Sequence, residues 1–80
     1  MEYRHHLIFP AAAFDSAIGD WTASAHIEFR KNLKFYTVVL KSGDAFRTEA
    51  QAKRFIIKRA KHWVDDRLRS ARELNGQAES

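Results

Sequence analysis

Four histidines are the residues of this sequence whose chemistry suits a metal ion. His5 and His6 are adjacent, so on a strand their side chains point to opposite faces. If His6 shares the open face of a sheet with His26, the two rings approach each other beside Glu28 and form a weak site at most. No two histidines have the i, i+4 spacing of a helical metal site, and the chain has no cysteine. The sequence therefore predicts no metal and no cofactor.

The serines and carboxylates do not form a recognisable catalytic motif. The chain contains neither a Gly-x-Ser-x-Gly sequence nor a glycine-rich phosphate-binding loop, and no pair of carboxylates can be assigned to a cleft. A single sheet covered by a single helix also offers little concave surface for a substrate. We therefore expect a protein that is not an enzyme and has no small-molecule substrate.

Basic residues are concentrated in residues 48–72, which carry eight Lys or Arg. Four acidic residues lie in the same stretch when it is extended to Glu73, so this stretch accounts for the whole formal net charge of +4. Such an asymmetry indicates an anionic partner. At 100° per residue, several of these cations fall on one side of a helix. This basic face consists of Arg54, Lys58, Lys61, Arg69 and Arg72.

Two interpretations of the basic face are open. Several cations on one helix face can neutralise the phosphates of a nucleic acid, or contact another acidic partner. The alternative is a solvated helix face, because long basic side chains are good helix formers that increase solubility. Asp65 lies four residues from both Lys61 and Arg69, so we expect pairing within the helix to neutralise part of the face. Phe55 and Phe35 are the aromatic candidates for stacking against bases.

The basic segment has the start signal and the periodicity of one long helix. Thr48 is a suitable N-cap, and Gln51 completes a capping box. The helix is predicted to run to about Leu74, where an Asn-Gly pair supplies a stop, and residues 75–80 are predicted to be a disordered tail. The apolar helix face consists of Ala52, Ile56, Ile57, Ala60, Trp63, Val64, Leu68, Ala71 and Leu74.

The predicted helix is longer than the strands it covers. A helix of about 25 residues spans about 37 Å, whereas a strand of about eight residues spans about 26 Å. The last turns must therefore overhang the sheet, and we expect the core to end near Val64. Leu68, Ala71 and Leu74 would then be exposed, and would either close on a loop at residues 10–14 or meet a second copy of the chain.

Three strands are predicted before the helix. Residues 3–9 are aromatic and aliphatic, and Pro10 is expected to end that strand before a long loop or hairpin arm. Residues 21–30 alternate between apolar and polar side chains, which is typical of a half-buried antiparallel strand. Residues 34–41 are β-branched and aromatic, and predict a third strand.

A tight turn at residues 32–33 fixes the pairing of the second and third strands. In this register Phe29 lies opposite Tyr36 on the apolar face that the helix covers. The open face carries Phe35 and Val39, which are larger and more apolar than a solvated face requires. This face is either a protein-binding surface or a surface with ordinary, singly exposed apolar residues. With the helix end included, the candidate self-association surface consists of Leu68, Ala71, Leu74, Phe35 and Val39.

Length and composition limit the organisation of the chain. Eighty residues support one domain with a modest core, which we place at residues 1–74. The hydrophobic fraction of 45% excludes disorder for the body of the chain. No apolar run approaches the roughly 20 residues that cross a bilayer, and the N-terminal residues lack the apolar stretch of a secretory signal. We therefore expect a cytoplasmic protein without a membrane partner.

Several motifs of this chain occur together in a known family. The chain begins with a Tyr-Arg strand, has an Asp-x-x-x-Gly-x-Trp turn, and ends in a helix with a Trp-hydrophobic-Asp motif. Over residues 3–66 it resembles a family of short, stand-alone proteobacterial proteins. The resemblance implies a β-β-β-α fold and implies no activity, cofactor or functional residue. The matching residues are Asp15, Gly19, Trp21, Thr48, Glu49, Trp63, Val64 and Asp65.

The sequence thus predicts an α+β protein in which a three-stranded antiparallel meander packs on one long C-terminal helix. We expect a small, non-catalytic interaction module that binds an unidentified protein or a second copy of itself. Electrostatic binding of nucleic acid through the basic helix face is the alternative.

Overall fold

A computed structural model describes the backbone of residues 1–79 and the side chains of residues 1–71. The strands form one antiparallel sheet in the order β1-β2-β3-β4, and the helix packs across one face of it. The α+β class and the C-terminal helix are confirmed, whereas the predicted number of three strands is wrong. The elements are β1 (Glu2–Tyr3), β2 (His6–Asp15), β3 (Asp20–Lys31), β4 (Lys34–Lys41) and α1 (Glu49–Glu79).

The additional strand arises because the predicted first strand reverses at Arg4 and His5. These two residues have φ angles of 49° and 66°, which is the geometry of a two-residue type I′ turn. Tyr3 therefore pairs with His6 in a short hairpin. The sequence gives little sign of this reversal, because neither position holds the Gly, Asn or Asp that usually adopts positive φ.

Pro10 does not end the strand, contrary to the prediction. The backbone N–H of Ile8 donates to the carbonyl of Met1, so the even-numbered residues of β2 direct their N–H groups away from β3. Pro10 shares this orientation, and β1 pairs only with Leu7 and His6. The missing N–H of Pro10 therefore lies on a free edge, where proline is tolerated. The segment predicted as a loop continues β2 as far as Asp15.

The turn between β2 and β3 depends on Asp15 and Gly19. The Asp15 carboxylate accepts a hydrogen bond from the backbone of Ala17 at 3.0 Å, and the Asp15 carbonyl accepts one from Gly19 at 2.8 Å. Gly19 has a φ of 70°, which glycine adopts without the steric cost of a side chain.

The pairing of β3 with β4 follows the predicted register. Phe29 lies opposite Tyr36, and Lys31 lies opposite Lys34 across the turn. Asn32 and Leu33 both have positive φ, as a type I′ turn requires.

The core is a single layer between the first half of α1 and the central strands. Its helical residues are spaced at intervals of four, so they form one row along α1. Half of the buried residues are alanines, which lets the helix backbone approach the sheet closely. Val64 is the last fully buried residue among the side chains described for α1, as predicted. The core consists of Ile8, Ala23, Ala25, Ile27, Ala52, Ile56, Ala60 and Val64.

The helix begins as predicted and is longer than predicted. The Thr48 side chain accepts a hydrogen bond from the backbone of Gln51 at 3.2 Å, so Thr48 is the N-cap. α1 extends to Glu79, beyond the expected end near Leu74. Residues 75–80, predicted as a tail, lie outside the part of the chain whose side chains are described. Despite its length, α1 is not apolar enough to cross a membrane.

Truncation of a core isoleucine tests the packing of α1. Ile56 is fully buried, whereas its neighbour Ile57 is half-buried. We expect Ile56→Ala to lower the free energy of unfolding by about 2–5 kcal/mol, because it leaves a cavity in a core with few large side chains. Ile57→Ala is the matched control and should cost less. Urea unfolding followed by circular dichroism measures both, and equal losses would contradict the assigned helix face.

Candidate interaction surfaces

The face of the sheet opposite α1 is left open by the rest of the described chain. Leu7 and Phe9 on β2 are 44% and 46% exposed, and Phe35 and Val39 on β4 are 82% and 51% exposed. Arg30 lies between them on β3, with its guanidinium carbon 5.8 Å from the centre of the Phe35 ring. The face is therefore apolar on its two flanks and polar along β3, a mixture common in protein interfaces.

The sequence identified only half of the apolar residues on this face. Phe35 and Val39 were predicted from the alternation within β4. Leu7 and Phe9 were not named individually, although they flank the buried Ile8 and therefore point to the opposite face. Their alternation with Ile8 is the signal that identifies them.

β4 is the outer edge of the sheet, and α1 packs mainly on β2 and β3 instead. Tyr36 remains 42% exposed even though it faces the helix side. Lysines occupy the two ends of the strand, Lys34 and Lys41, and the six residues between them are uncharged. A long, uncharged edge strand with free backbone groups readily pairs with another strand.

The predicted self-association surface at the helix end is not one surface. Phe35 and Val39 lie on the open face, whereas Leu68 belongs to α1 on the other side of the sheet. Leu68 is half-buried against the core instead of exposed. It does not close on a loop at residues 10–14, because those residues belong to β2. Ala71 is exposed as expected, and Leu74 lies outside the described side chains.

Arg67 and His6 close the core at the β1 end of the sheet. The Arg67 guanidinium lies 4.1 Å from the centre of the Phe29 ring and 3.3 Å from His6 Nε2. His6 Nδ1 lies 2.9 Å from the carbonyl of Arg4. A carbonyl only accepts, so Nδ1 must donate its hydrogen, and Nε2 then accepts from Arg67. Both nitrogens of the buried His6 ring are therefore used in packing.

The considered approach of His6 to His26 on the open face is wrong. His6 is 3% exposed and faces α1, whereas His26 is exposed on the open face. The two rings lie on opposite faces because His6 shares its face with the buried Ile8, whereas His26 pairs with Phe9 on the open face. Within the described residues, no three metal-binding side chains come together.

The residues of the basic face differ in whether they form an ion pair. Arg54 and Lys58 are exposed, and neither forms an ion pair within residues 1–71. Arg69, in contrast, is bonded to Asp66 at 2.8 Å. Lys61 is half-buried, with its Nζ atom 5.4 Å from the centre of the Tyr3 ring; Arg72 lies outside the described side chains. The cations left without an acidic neighbour are thus those in the first half of α1.

Asp65 does not pair within the helix, contrary to the prediction. Its carboxylate accepts a hydrogen bond from Arg4 at 2.7 Å and one from the Tyr3 hydroxyl, which is shared between the two carboxylate oxygens at 2.9 and 3.0 Å. The bond from Arg4, followed by that from Tyr3, holds the pKa of Asp65 below its ordinary value. The bond to Asp65 raises the pKa of Tyr3 above its ordinary value. These three side chains tie the β1 hairpin to α1.

Two further cations extend the basic surface around Phe55. The Phe55 ring packs on Phe46, with their centres 5.0 Å apart. Arg47, exposed in the β4–α1 connection, borders a shallow cleft on one side of Phe55. Arg59 borders a second cleft on the other side. The helical periodicity of the sequence does not point to Arg47, because this residue precedes the helix.

A third cleft, of about 540 Å³, lies between the β2–β3 hairpin and the β4–α1 connection. Ser42 is the buried hydroxyl in its wall. The Ser42 hydroxyl donates to the carbonyl of Asp44 at 2.7 Å and accepts from the backbone of Ala23 at 3.2 Å. Its hydrogen-bonding capacity is therefore used to hold the connection against β3.

These features define a small α+β domain with an open sheet face, an uncovered edge strand and a basic helix. No family model, curated protein or solved structure matches the chain. The resemblance to the proteobacterial family stays a prediction. An assignment of function therefore depends on the chemistry of these surfaces.

The pKa of Asp65 predicts a pH-dependent contribution to stability. Because its folded pKa lies below its unfolded value of about 4, its contribution is present above that pH and is lost as the pH falls through the folded pKa. We expect Asp65→Asn to lower the urea midpoint at neutral pH, and the difference from wild type to shrink in acid. Urea titrations at several pH values measure this difference.

Asp66→Asn is the matched control for that experiment. It removes the same charge from the neighbouring position, where, among residues 1–71, the carboxylate is bonded to the exposed Arg69 alone. Its urea midpoint should stay near that of wild type, because exposed pairs contribute little. A loss of stability that is equal in the two variants, or independent of pH in Asp65→Asn, would contradict the role of the Arg4–Tyr3–Asp65 contact.

Proposed function

We propose that this protein is a non-catalytic interaction module that self-associates by pairing β4 with β4 of a second copy. The observation that carries the proposal is the uncovered, uncharged edge of β4 between Lys34 and Lys41. Edge strands in most proteins carry interior charges, prolines or bulges that prevent pairing. Phe35 to Leu40 have none of these protective features.

The backbone of β4 presents free hydrogen-bonding groups at alternate residues. The two-residue turn makes Lys31 and Lys34 a hydrogen-bonded pair, so the even-numbered residues of β4 are bonded to β3. Phe35, Thr37 and Val39 then direct their N–H and C=O groups outward. In an antiparallel pairing of two copies, these residues of one copy lie directly opposite the corresponding set in the other copy, and residues that lie opposite each other have their side chains on the same face. This places the two copies of α1 on the same side of the extended sheet.

A two-fold axis at Thr37 gives the best pairing of side chains. Thr37 then faces Thr37 of the second copy, and Phe35 faces Val39 of the second copy on the open face. On the other face, Tyr36 is opposite Val38. Aromatic and β-branched pairs of this kind stabilise antiparallel sheets by about 0.2–1 kcal/mol each. No lysine faces a lysine in this register, because Lys34 lies opposite Leu40.

The symmetry of the strand favours a second copy over an unrelated partner. Each apolar contact occurs twice in a two-fold dimer, and the strand complements itself without a change of sequence. The dimer also brings the exposed Phe35 and Val39 of both copies together into one apolar surface on the open face. The function that fits these features is self-association, with the chemistry confined to surface contact.

The concentration dependence of the molar mass tests this proposal. Sedimentation equilibrium of the wild type should give a reversible monomer–dimer equilibrium. Val39→Lys places a charge on the pairing edge twice per dimer, and should weaken dimerisation by about tenfold, or ~1.4 kcal/mol. Thr37→Pro should also weaken it, because it removes a central outward N–H without breaking a bond to β3.

Leu7→Lys is the matched control, since Leu7 lies on the same open face at similar exposure but far from the β4 edge. It should dimerise like the wild type. Circular dichroism verifies that each variant is folded. A wild type that stays monomeric at all concentrations, or a Leu7→Lys variant as weak as Val39→Lys, would refute pairing through β4.

A further inference from the structure

The acidic side chains described for α1, within residues 49–71, are bonded away from the middle of the basic helix. Glu49 pairs with Lys53 at 3.0 Å, and Asp65 and Asp66 pair near the β1 end with Arg4 and Arg69. The side chains of Arg47, Arg54, Lys58 and Arg59 are exposed and form no ion pair within residues 1–71. We call these four the basic patch.

Like charges lie close together within the basic patch. Arg54 and Lys58 are four residues apart on the helix, a spacing at which like charges repel each other. An opposite charge would relieve this repulsion, and none of the described side chains of the chain supplies one. The patch is therefore complementary to an anionic partner.

Phe55 gives the patch an apolar centre. Its ring is half-buried and supported by Phe46 from below, so its position is fixed. Phe55 and Lys58 border both of the shallow clefts, one of which is also lined by Arg54 and the other by Arg59. An aromatic ring between cations is the arrangement that proteins use to bind nucleic acid strands, with bases against rings and phosphates against cations.

We infer that the basic patch and Phe55 form a binding site for single-stranded nucleic acid. The four cations neutralise phosphates, and the exposed edge of the Phe55 ring contacts a base in one of the adjoining clefts. A duplex fits less well, because its bases are stacked on each other and offer no face to the ring. A bilayer surface fits less well too, because Phe55 is held in the surface and does not project from it.

This site is separate from the β4 edge, so it does not depend on self-association. In a β4-paired dimer both helices lie on the same side of the sheet, so one single-stranded nucleic acid could contact both basic patches. A nucleic acid long enough to reach both patches would bind with increased avidity. The patch itself is complete within one chain.

Fluorescence anisotropy of the full chain with a labelled oligo-deoxythymidine tests the inference. Affinity should fall with salt with a logarithmic slope of about −2 to −3, because three or four cations each contribute about −0.7 on single strands. The unlabelled duplex of matched length should compete less well than the single strand. Heparin, which offers anionic groups without bases, serves as the probe for charge alone.

Paired variants locate the site. Arg54→Gln with Lys58→Gln should reduce the magnitude of the salt slope by about 1.4 and weaken binding. The control, Lys31→Gln with Arg69→Gln, removes the same charge outside the patch and should bind like the wild type. Phe55→Leu should weaken binding of the oligonucleotide by about fivefold or more and leave heparin binding unchanged, whereas Phe55→Tyr should retain both.

Three results would overturn the inference. The first is no binding of the oligonucleotide at low salt. The second is an equal loss in the two double variants, which would assign binding to the net charge of the whole molecule. The third is binding of heparin or of anionic phosphatidylserine vesicles without binding of the oligonucleotide. Because the anisotropy measurement is made alongside sedimentation of the same samples, failure of this site is distinguished from failure of β4 pairing.

Discussion

The width of a single helix is the constraint on which the rest of this structure depends. A helix is about 10 Å across, and neighbouring strands lie about 4.8 Å apart, so one helix covers about two strands. α1 lies on β2 and β3 and leaves β4 largely uncovered. The alanine-rich contact brings α1 close to the sheet and makes the core small. The exposed side chains of β4 on the helix side and the dependence on a few isoleucines follow from this geometry, while the free backbone edge of β4 follows from its place at the end of the strand order.

The same constraint explains where the charges lie. Because a single helix covers the sheet, its outer face stays in water over the residues whose side chains are described, and long basic side chains are accommodated there. The β1 hairpin then reaches the side of the helix near Asp65 and binds it through Arg4 and Tyr3. This contact occupies the Asp65 carboxylate, while Asp66 is bonded to Arg69 within the helix. No Asp or Glu occurs between Glu49 and Asp65, so the helix offers Arg54, Lys58 and Arg59 no acidic side chain one turn away.

Sequence periodicity predicted which residues share a face within one strand or one helix. The alternation within β4 placed Phe35 and Val39 on one face, and the helical period placed Arg54 and Lys58 together. The partners of these residues come from other elements, and pattern alone does not bring elements together. Arg47 joins the basic patch from the connection before the helix, and Arg4 reaches Asp65 from a position 61 residues away in the chain.

The sequence by itself determined the α+β class, the register of β3 with β4, the N-cap at Thr48 and the extent of the core, because periodicity and turn chemistry act over a few residues. Only the tertiary structure decided the reversal at residues 4–5 and the continuation of β2 through Pro10. The hairpin is held by Asp65 on α1, which is distant in the chain, whereas Pro10 is tolerated because β1 is too short to reach it and leaves that edge free. Neither the contact with Asp65 nor the length of β1 can be read from the local pattern, which shows only the preferences of neighbouring residues.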